Sequence, residues 1–173
     1  MSKLIIFAGL PGTGKTTLAR RLSCKLNYFY LRVDAIEAPF ASINPKAGQE
    51  GEAYRAMINL AYENLILGHN VIVDAVNPLH ISRSMFHQLA ERTKAEYIQL
   101  ELKIKDTLLH KSRVESRKPD IEGLEVPSWE DVVKRVYESW DIALDGENHE
   151  ILTDDFESAF NRCLSVITGN VTQ

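Results

Sequence analysis

The run Gly9-Leu10-Pro11-Gly12-Thr13-Gly14-Lys15-Thr16-Thr17 has the spacing G-x-x-x-x-G-K-[ST], and its residue types suit one task, the holding of a polyphosphate. Glycines at 9, 12 and 14 let the backbone curl until successive N–H groups point inward at phosphate oxygens. A helix begun at Lys15 adds the positive end of its dipole. The Lys15 ammonium supplies a point charge for the β and γ phosphates, and the Thr16 hydroxyl is a ligand for Mg²⁺. With Pro11, Thr13 and Thr17 these residues form the expected nucleotide-binding loop, and ATP and Mg²⁺ are the cofactors it implies. A glycine-rich turn that binds nothing is the bland alternative, and the apolar run before the loop and the helical pattern after it weigh against that.

Other residues could complete a transfer reaction. Moving a γ-phosphoryl group needs an acceptor oxygen placed in line, and a carboxylate can orient or deprotonate that hydroxyl. Asp34 and Asp74 each close an apolar run. Asp34 is the expected base, with a plain turn-capping role as its rival. Asp74 is expected near the metal, holding a Mg²⁺-bound water, or orienting a substrate donor, or standing as a solvated strand end. Arg113 and Arg117 are four apart, so both project from one face if the helix continues. Over the nucleotide they would neutralise charge building on the transferring group; otherwise they belong to a basic surface with Lys111 and Lys118.

The elements that must position these groups alternate strand and helix. Lys3–Ala8 reads as a buried strand and Lys15–Leu26 as a helix, with Leu18, Ala19, Leu22 and Leu26 at helical spacing. Tyr28–Val33 is a second strand. Gly48 and Gly51 mark a loop before a helix faced by Met57, Leu60, Ala61 and Leu65 and closed by Gly68. Residues Asn70–Val73, Glu96–Ile104 and Glu150–Thr153 read as strands, and Leu79–Thr93 and Asp106–Arg117 as helices, the latter stopped by Pro119. Pro119–Pro127 reads as a mobile loop, and a small lid is expected over 113–127. Ser128 with Asp131 resembles a capping box before Val132, Val133, Val136, Tyr137 and Trp140. Asp154 or Asp155 caps a last helix. This order predicts one domain over 1–173, a three-layer α/β/α phosphate-loop fold on a five-stranded parallel sheet. In such sheets ligands bind beyond the carboxyl ends of the strands, where Gly9, Asp34 and Asp74 should converge.

On these residues the chain resembles the small P-loop kinases. Val33-Asp34-Ala35-Ile36-Glu37-Ala38 is similar to the corresponding stretch of chloramphenicol phosphotransferases, where the aspartate is taken as the base for the acceptor hydroxyl. Val71-Ile72-Val73-Asp74-Ala75-Val76-Asn77-Pro78 followed by Arg83 resembles the polynucleotide-kinase and zeta-toxin group, as does Arg113-x-x-x-Arg117 followed by Pro127-Ser128-Trp129-Glu130-Asp131. The resemblance implies lid arginines at 113 and 117 and acceptor contacts at Asn77 and Arg83, although a loop-capping Asn and a surface Arg explain the latter pair equally well. Polynucleotide-kinase-like proteins often carry Arg three residues after the base aspartate, where this chain has Glu37. Adenylylsulfate kinases show Asp-x-Asp-x-x-Arg, and here Arg32 and Glu37 replace the outer two. A carboxylate at 37 repels a phosphorylated acceptor and suits a neutral polyol, a sugar or an amine-bearing substrate.

Composition narrows the setting. The 173 residues are 45% hydrophobic and 25% charged, which excludes a disordered or disulfide-stapled chain. No apolar run approaches the ~20 residues of a membrane helix. Cys24 and Cys163, far apart in helical patterns, suggest a reduced, cytoplasmic protein; Cys24 reads as helix core. The five histidines show no metal spacing, and both tryptophans fit packing faces. Residues 119–173 hold thirteen acidic and three basic side chains, so no extended nucleic-acid surface and no membrane surface is expected. The expected activity is transfer of the ATP γ-phosphoryl group to a small-molecule hydroxyl. A 5′-hydroxyl kinase of nucleotides or nucleic acids is one rival; a regulatory ATPase module is another. Oligomeric state stays open.

Overall fold

The computed structural model describes residues 1–43 and 51–169; the expected loop glycine Gly48 lies outside them. Five parallel strands form one sheet in the order β2-β3-β1-β4-β5: β1 Lys3–Ala8, β2 Phe29–Arg32, β3 Val71–Asp74, β4 Glu96–Lys103 and β5 His149–Leu152. Helices α1 Lys15–Leu26 and α8 Phe156–Thr168 cover one face, and α3 Glu52–Ile66 and α4 His80–Thr93 the other. Between them run α2 Val33–Ile43, α5 Thr107–Glu115, α6 Trp129–Lys134 and α7 Ile142–Asp145. The expected α/β/α architecture is present. No described helix is long and apolar enough to cross a membrane.

Each strand of the sheet centre feeds both cores, because successive side chains of a strand point to opposite faces. In β1, Ile5 and Phe7 join Leu18 and Leu22 of α1 and Phe160 and Cys163 of α8. Leu4 and Ile6 join Met57 and Leu65 of α3 and Phe86 and Leu89 of α4. β4 departs from this rule. Gln99 and Glu101 face the α4 side, both buried, and are met by polar groups of the irregular stretch that follows α6. Gln99 Nε2 donates to the Asp145 carbonyl at 2.7 Å, Asn148 Nδ2 donates to Glu101 Oε2 at 2.9 Å, and the Tyr137 hydroxyl donates to Glu101 Oε1 at 3.2 Å.

That stretch corrects several expectations. The capping box at Ser128 and Asp131 forms as expected, but the helix ends at Lys134 and does not continue to Trp140. Val133 and Val136 are exposed, so no apolar face exists there to hold a longer helix against the core. Tyr137 and Trp140 instead stack over Arg83, whose guanidinium carbon lies 5.2 and 4.2 Å from their ring centroids. The α5 helix ends at Glu115, leaving Arg117 beyond it. An additional helix, α2, follows β2 and contains Pro39. Leu60 and Cys24 are exposed rather than packed. Asp155, not Asp154, caps α8, accepting from Ser158 N at 2.7 Å.

Arg83 was expected to meet the acceptor, and the structure buries it completely. Its Nη1 donates to Asp145 Oδ2 at 2.9 Å, and its remaining nitrogens donate to the carbonyls of Asn77, Pro78 and Glu138. The buried pair therefore ties α4 to α7 and to the chain beyond α6. Removing one partner of such a pair strands a buried charge. Asp145→Ala should accordingly lower the unfolding free energy by about 3 kcal/mol or more in urea denaturation. A loss below about 1 kcal/mol would put the pair in the class of surface ion pairs.

Candidate functional site

The glycine-rich loop between β1 and α1 curls for packing reasons that differ from glycine to glycine. Gly12 has φ +86, and a Cβ there would stand 2.5 Å from Val114 Cγ2 on α5. Gly14 has φ +89, and a Cβ there would meet nothing within 4 Å. The back of the loop is thus pressed against α5, while its inner side at Gly14 opens to space. His110 of α5 reinforces the first contact, with Nε2 2.8 Å from the Pro11 carbonyl. Thr13 Oγ1 closes the turn on Leu10 O at 2.9 Å. Lys15 Nζ, buried, donates to the Gly9 and Leu10 carbonyls at 2.7 and 2.9 Å.

This loop opens on a cleft of about 1510 Å³. Pro11, Gly12, Gly14, Lys15, Thr16 and Thr17 line one side of it, and Asp34, Glu37 and Asp74 share the same cleft. Gly9 and Thr13 support the loop from the side of β4 and α5, where a Cβ on Gly9 would meet Leu102 O at 2.4 Å. Asp34, expected to end the second strand, lies instead in the first turn of α2, two residues past the last residue of β2. Among the described residues its hydrogen bonds fall on Oδ2, from Arg32 Nη2 at 2.8 Å and Arg32 Nε at 3.2 Å, and Arg117 Nη2 stands 3.6 Å from the same oxygen. Oδ1 is left as the oxygen for a further partner. Glu37 is exposed along the same wall, and partial burial together with the charge of Asp34 pushes its carboxyl upward. Asp74 is 3% exposed and accepts from the Tyr30 hydroxyl at 2.8 Å.

Two expected acceptor contacts are absent from the cleft wall. Arg83 is held by Asp145 as described. Asn77 is fully buried, with φ +47; its Nδ2 donates to Phe7 O at 2.9 Å and its backbone N donates to the Tyr54 hydroxyl at 3.2 Å. It braces the end of β3 against β1, beneath the loop. Arg113 reaches the cleft edge, but its guanidinium donates to the Thr153 and Asp154 carbonyls at 2.8 and 3.3 Å. It does not share a helix face with Arg117, since α5 has ended. Sequence reasoning gave Arg32 no role in the site and missed Arg135 and Asp120. Arg135 lines the cleft after α6, near enough to act on both Lys15 and Glu37. Asp120 accepts from Arg32 Nη1 at 2.8 Å and stands 2.9 Å from Arg20 Nη1. Arg32 did stand out in sequence as the residue that replaces the first aspartate of the adenylylsulfate-kinase pattern, but its partner Asp120 is 88 residues away.

The donors suit a magnesium–triphosphate. A hydroxyl at Thr16 and a carboxylate at Asp74 are hard oxygen ligands, and Mg²⁺ is normally held by one or two such groups plus phosphate oxygens. The open side of the loop at Gly14 leaves room for those phosphates. Burial lowers the Lys15 ammonium from its ordinary value of 10.5 to about 8, with the charges of Asp74 and Asp34 opposing part of the shift. Because the folded value lies below the unfolded one, the cost of burying the charged ammonium applies fully below about pH 8. Stability contributed by this group therefore rises with pH above that point. Polyphosphate affinity runs the other way, because the neutral amine gives up its charge. ATP binding should weaken above pH 8 and take up protons, measured by calorimetry in two buffers of different ionisation enthalpy. Zero proton uptake at that pH would mean the amine is already charged in the free protein.

Comparison with known proteins bears on the fold and the family. A probable adenylyl-sulfate kinase of Aeropyrum pernix is 27% identical over 106 residues, and the match spans 58% of each chain. Among solved structures, Kti12 of Chaetomium thermophilum in complex with ADP-AlF3 superposes with a TM-score of 0.72 at 22% identity, over 98% of this chain and all of that one. A sugar kinase of Janibacter superposes with a TM-score of 0.72 at 15% identity, over 97% of this chain and 95% of that one. The fold is that of the P-loop kinases. From the first strand to just past Arg135, residues 4–137 match the model of the AAA domain family, and the chain belongs to that family.

Proposed function

We propose that the protein is an ATP-dependent kinase that moves the γ-phosphoryl group to a hydroxyl of a small molecule. One observation carries this reading: the phosphate loop and the Asp34 carboxylate face a single cleft, with Asp34 anchored through Oδ2 alone among the described residues. Oδ1 then takes the hydroxyl proton as the acceptor oxygen bonds to the γ phosphorus and the bond to the β-phosphate oxygen breaks, releasing ADP. Lys15, Arg117 and Arg135 neutralise the charge that develops on the transferring group. Mg²⁺, where bound, supplies further charge neutralisation between phosphates, and Thr16 and Asp74 are the groups that would hold it.

The segment 116–128 acts as the lid of this single kinase domain, carrying Arg117 over the cleft. Arg113 steadies the stem of the lid. The Glu37 carboxylate, beside Asp34, disfavours a phosphorylated acceptor and favours a polyol, sugar or amine-bearing alcohol. Within the P-loop kinases, the stretch around Asp34 supports a place near the chloramphenicol phosphotransferase and polynucleotide-kinase group. The relative named as an adenylyl-sulfate kinase supports the phosphotransferase class, and Glu37 weighs against the same substrate here.

An ADP-release screen over sugars, aminoglycosides, polyols, nucleosides and short oligonucleotides should register turnover on a neutral or amine-bearing alcohol. Turnover confined to oligonucleotide ends would favour the 5′-hydroxyl kinase. Lys15→Ala should abolish nucleotide binding or turnover. Asp34→Asn should spare ADP binding and cut transfer by about 10²-fold or more; collapse of ADP affinity would remove Asp34 from the role of base. Arg117→Ala and Arg135→Ala should each lower kcat more than they weaken ADP binding, and equal losses would reduce them to anchors.

A further inference from the structure

Asp34 sits in a line of alternating charge. Arg32 Nη2 and Nε hold its Oδ2, and Arg117 Nη2 stands 3.6 Å from that oxygen. On the other side, Arg32 Nη1 donates to Asp120 Oδ2 at 2.8 Å, and Arg20 Nη1 is 2.9 Å from the same oxygen. The order is therefore Arg20, Asp120, Arg32, Asp34, Arg117. Arg20 belongs to α1 and Arg32 to the end of β2, both fixed parts of the frame. Asp120 and Arg117 belong to the 116–128 segment, so that segment enters the line twice.

Arg32 is 4% exposed, and its guanidinium is a rigid planar fork. With Asp120 on one edge and Asp34 on another, it cannot re-aim toward one without shifting against the other. It also has a second place to turn: Asp74 Oδ2 lies 3.9 Å from its Nε. Burial works against the Arg32 charge, yet the hydrogen bonds it donates to Asp120 and Asp34 outweigh it and hold the guanidinium above its usual value. The Arg32 hydrogen bond in turn keeps the Asp120 carboxyl below its ordinary range. Asp120 is thus charged at neutral pH, and its contact with Arg32 weakens only as pH falls through that depressed value.

We infer that Arg32 is a positioning residue that orients the Asp34 carboxylate, and that Asp120, by clasping Arg32 and Arg20, makes this orientation conditional on the 116–128 segment being down. This rests on Asp34 being the acceptor base. With Asp120 withdrawn, Arg32 divides between Asp34 and Asp74, and the base loses its fixed aim. The clasp thereby ties phosphoryl transfer to a covered cleft, from which bulk water is shut out.

Asp120 is partly exposed, and Asp120→Asn keeps its shape, so this variant should fold. Two readouts follow: release of a fluorescent ADP analogue, and kcat with KM for MgATP, measured as ADP release with glycerol and with water as acceptors. Asp120→Asn should speed analogue release several-fold and lower kcat about tenfold or more, in keeping with the cost of a misplaced catalytic group. Asp120→Glu should restore part of both. In an Asp34→Asn background, Asp120→Asn should still speed release but cost clearly less kcat than in the unsubstituted protein, the remainder being what the transfer loses when Arg117 moves with the segment. Unchanged release and kcat, or the same fold-loss of kcat in both backgrounds, would overturn the inference. Should Asp34→Asn itself turn over like the unsubstituted protein, the base assignment falls and the positioning role with it, and the clasp is judged on analogue release alone.

Discussion

Phe7, Asp74 and Arg32 occupy one row of the parallel ladder, since Phe7 pairs with Asp74 across β1–β3 and Asp74 with Arg32 across β3–β2. Everything in the cleft depends on that row. It brings the start of the phosphate loop, the buried Asp74 and the Arg32 guanidinium to the same edge of the sheet. A slip of one residue in β2 would turn Arg32 to the opposite face and leave Asp34 and Asp74 without their shared cation.

The row also explains why charge is tolerated so deep in the molecule. Lys15, Arg32 and Asp74 are all buried, and none stands alone: Lys15 has two loop carbonyls, Asp74 has Tyr30, and Arg32 has aspartates on two edges. Buried charges persist only when paired and hydrogen-bonded. A second set, Arg83 with Asp145, obeys the same rule on the α4 side of the sheet and serves structure. Two buried arginines thus have opposite relations to the cleft, one at its wall and one beneath it.

Sequence motif and structure diverge at that second set. Asn77 and Arg83 follow Asp74 at spacings that resemble acceptor-binding residues of related kinases, yet both are sequestered. The difference lies in what covers them. Asn77 is taken up by Phe7 and Tyr54, while residues 135–148 fold back as a strap, irregular apart from the short α7, whose Tyr137, Trp140 and Asp145 meet Arg83; no local pattern in 77–83 announces a partner more than fifty residues away. The same strap accounts for the truncated α6, because aromatic residues at helical spacing found a better contact over a guanidinium than along a helix face.

The strands, the order α1 to α8 apart from α2 and α7, the capping box at Ser128 and the phosphate loop were legible in the chain itself, since each is written in local periodicity, glycine placement or nearest-neighbour hydrogen bonds. Asp74 could be picked out as a strand-end carboxylate on the same grounds, whereas Asp34, expected at a strand end, lies in the first turn of α2. α2 was hidden by Pro39, which removes one helical donor. Only the tertiary structure decided that Arg32 faces two aspartates, that Asp120 reaches across to it from 88 residues away, that Arg135 joins the cleft, and that Arg83 and Asn77 do not. Apart from the neighbouring Arg32 and Asp34, those facts are pairings between groups distant in the chain, and the burial and distance of a partner exist only once the sheet register and the strap have brought the two groups together.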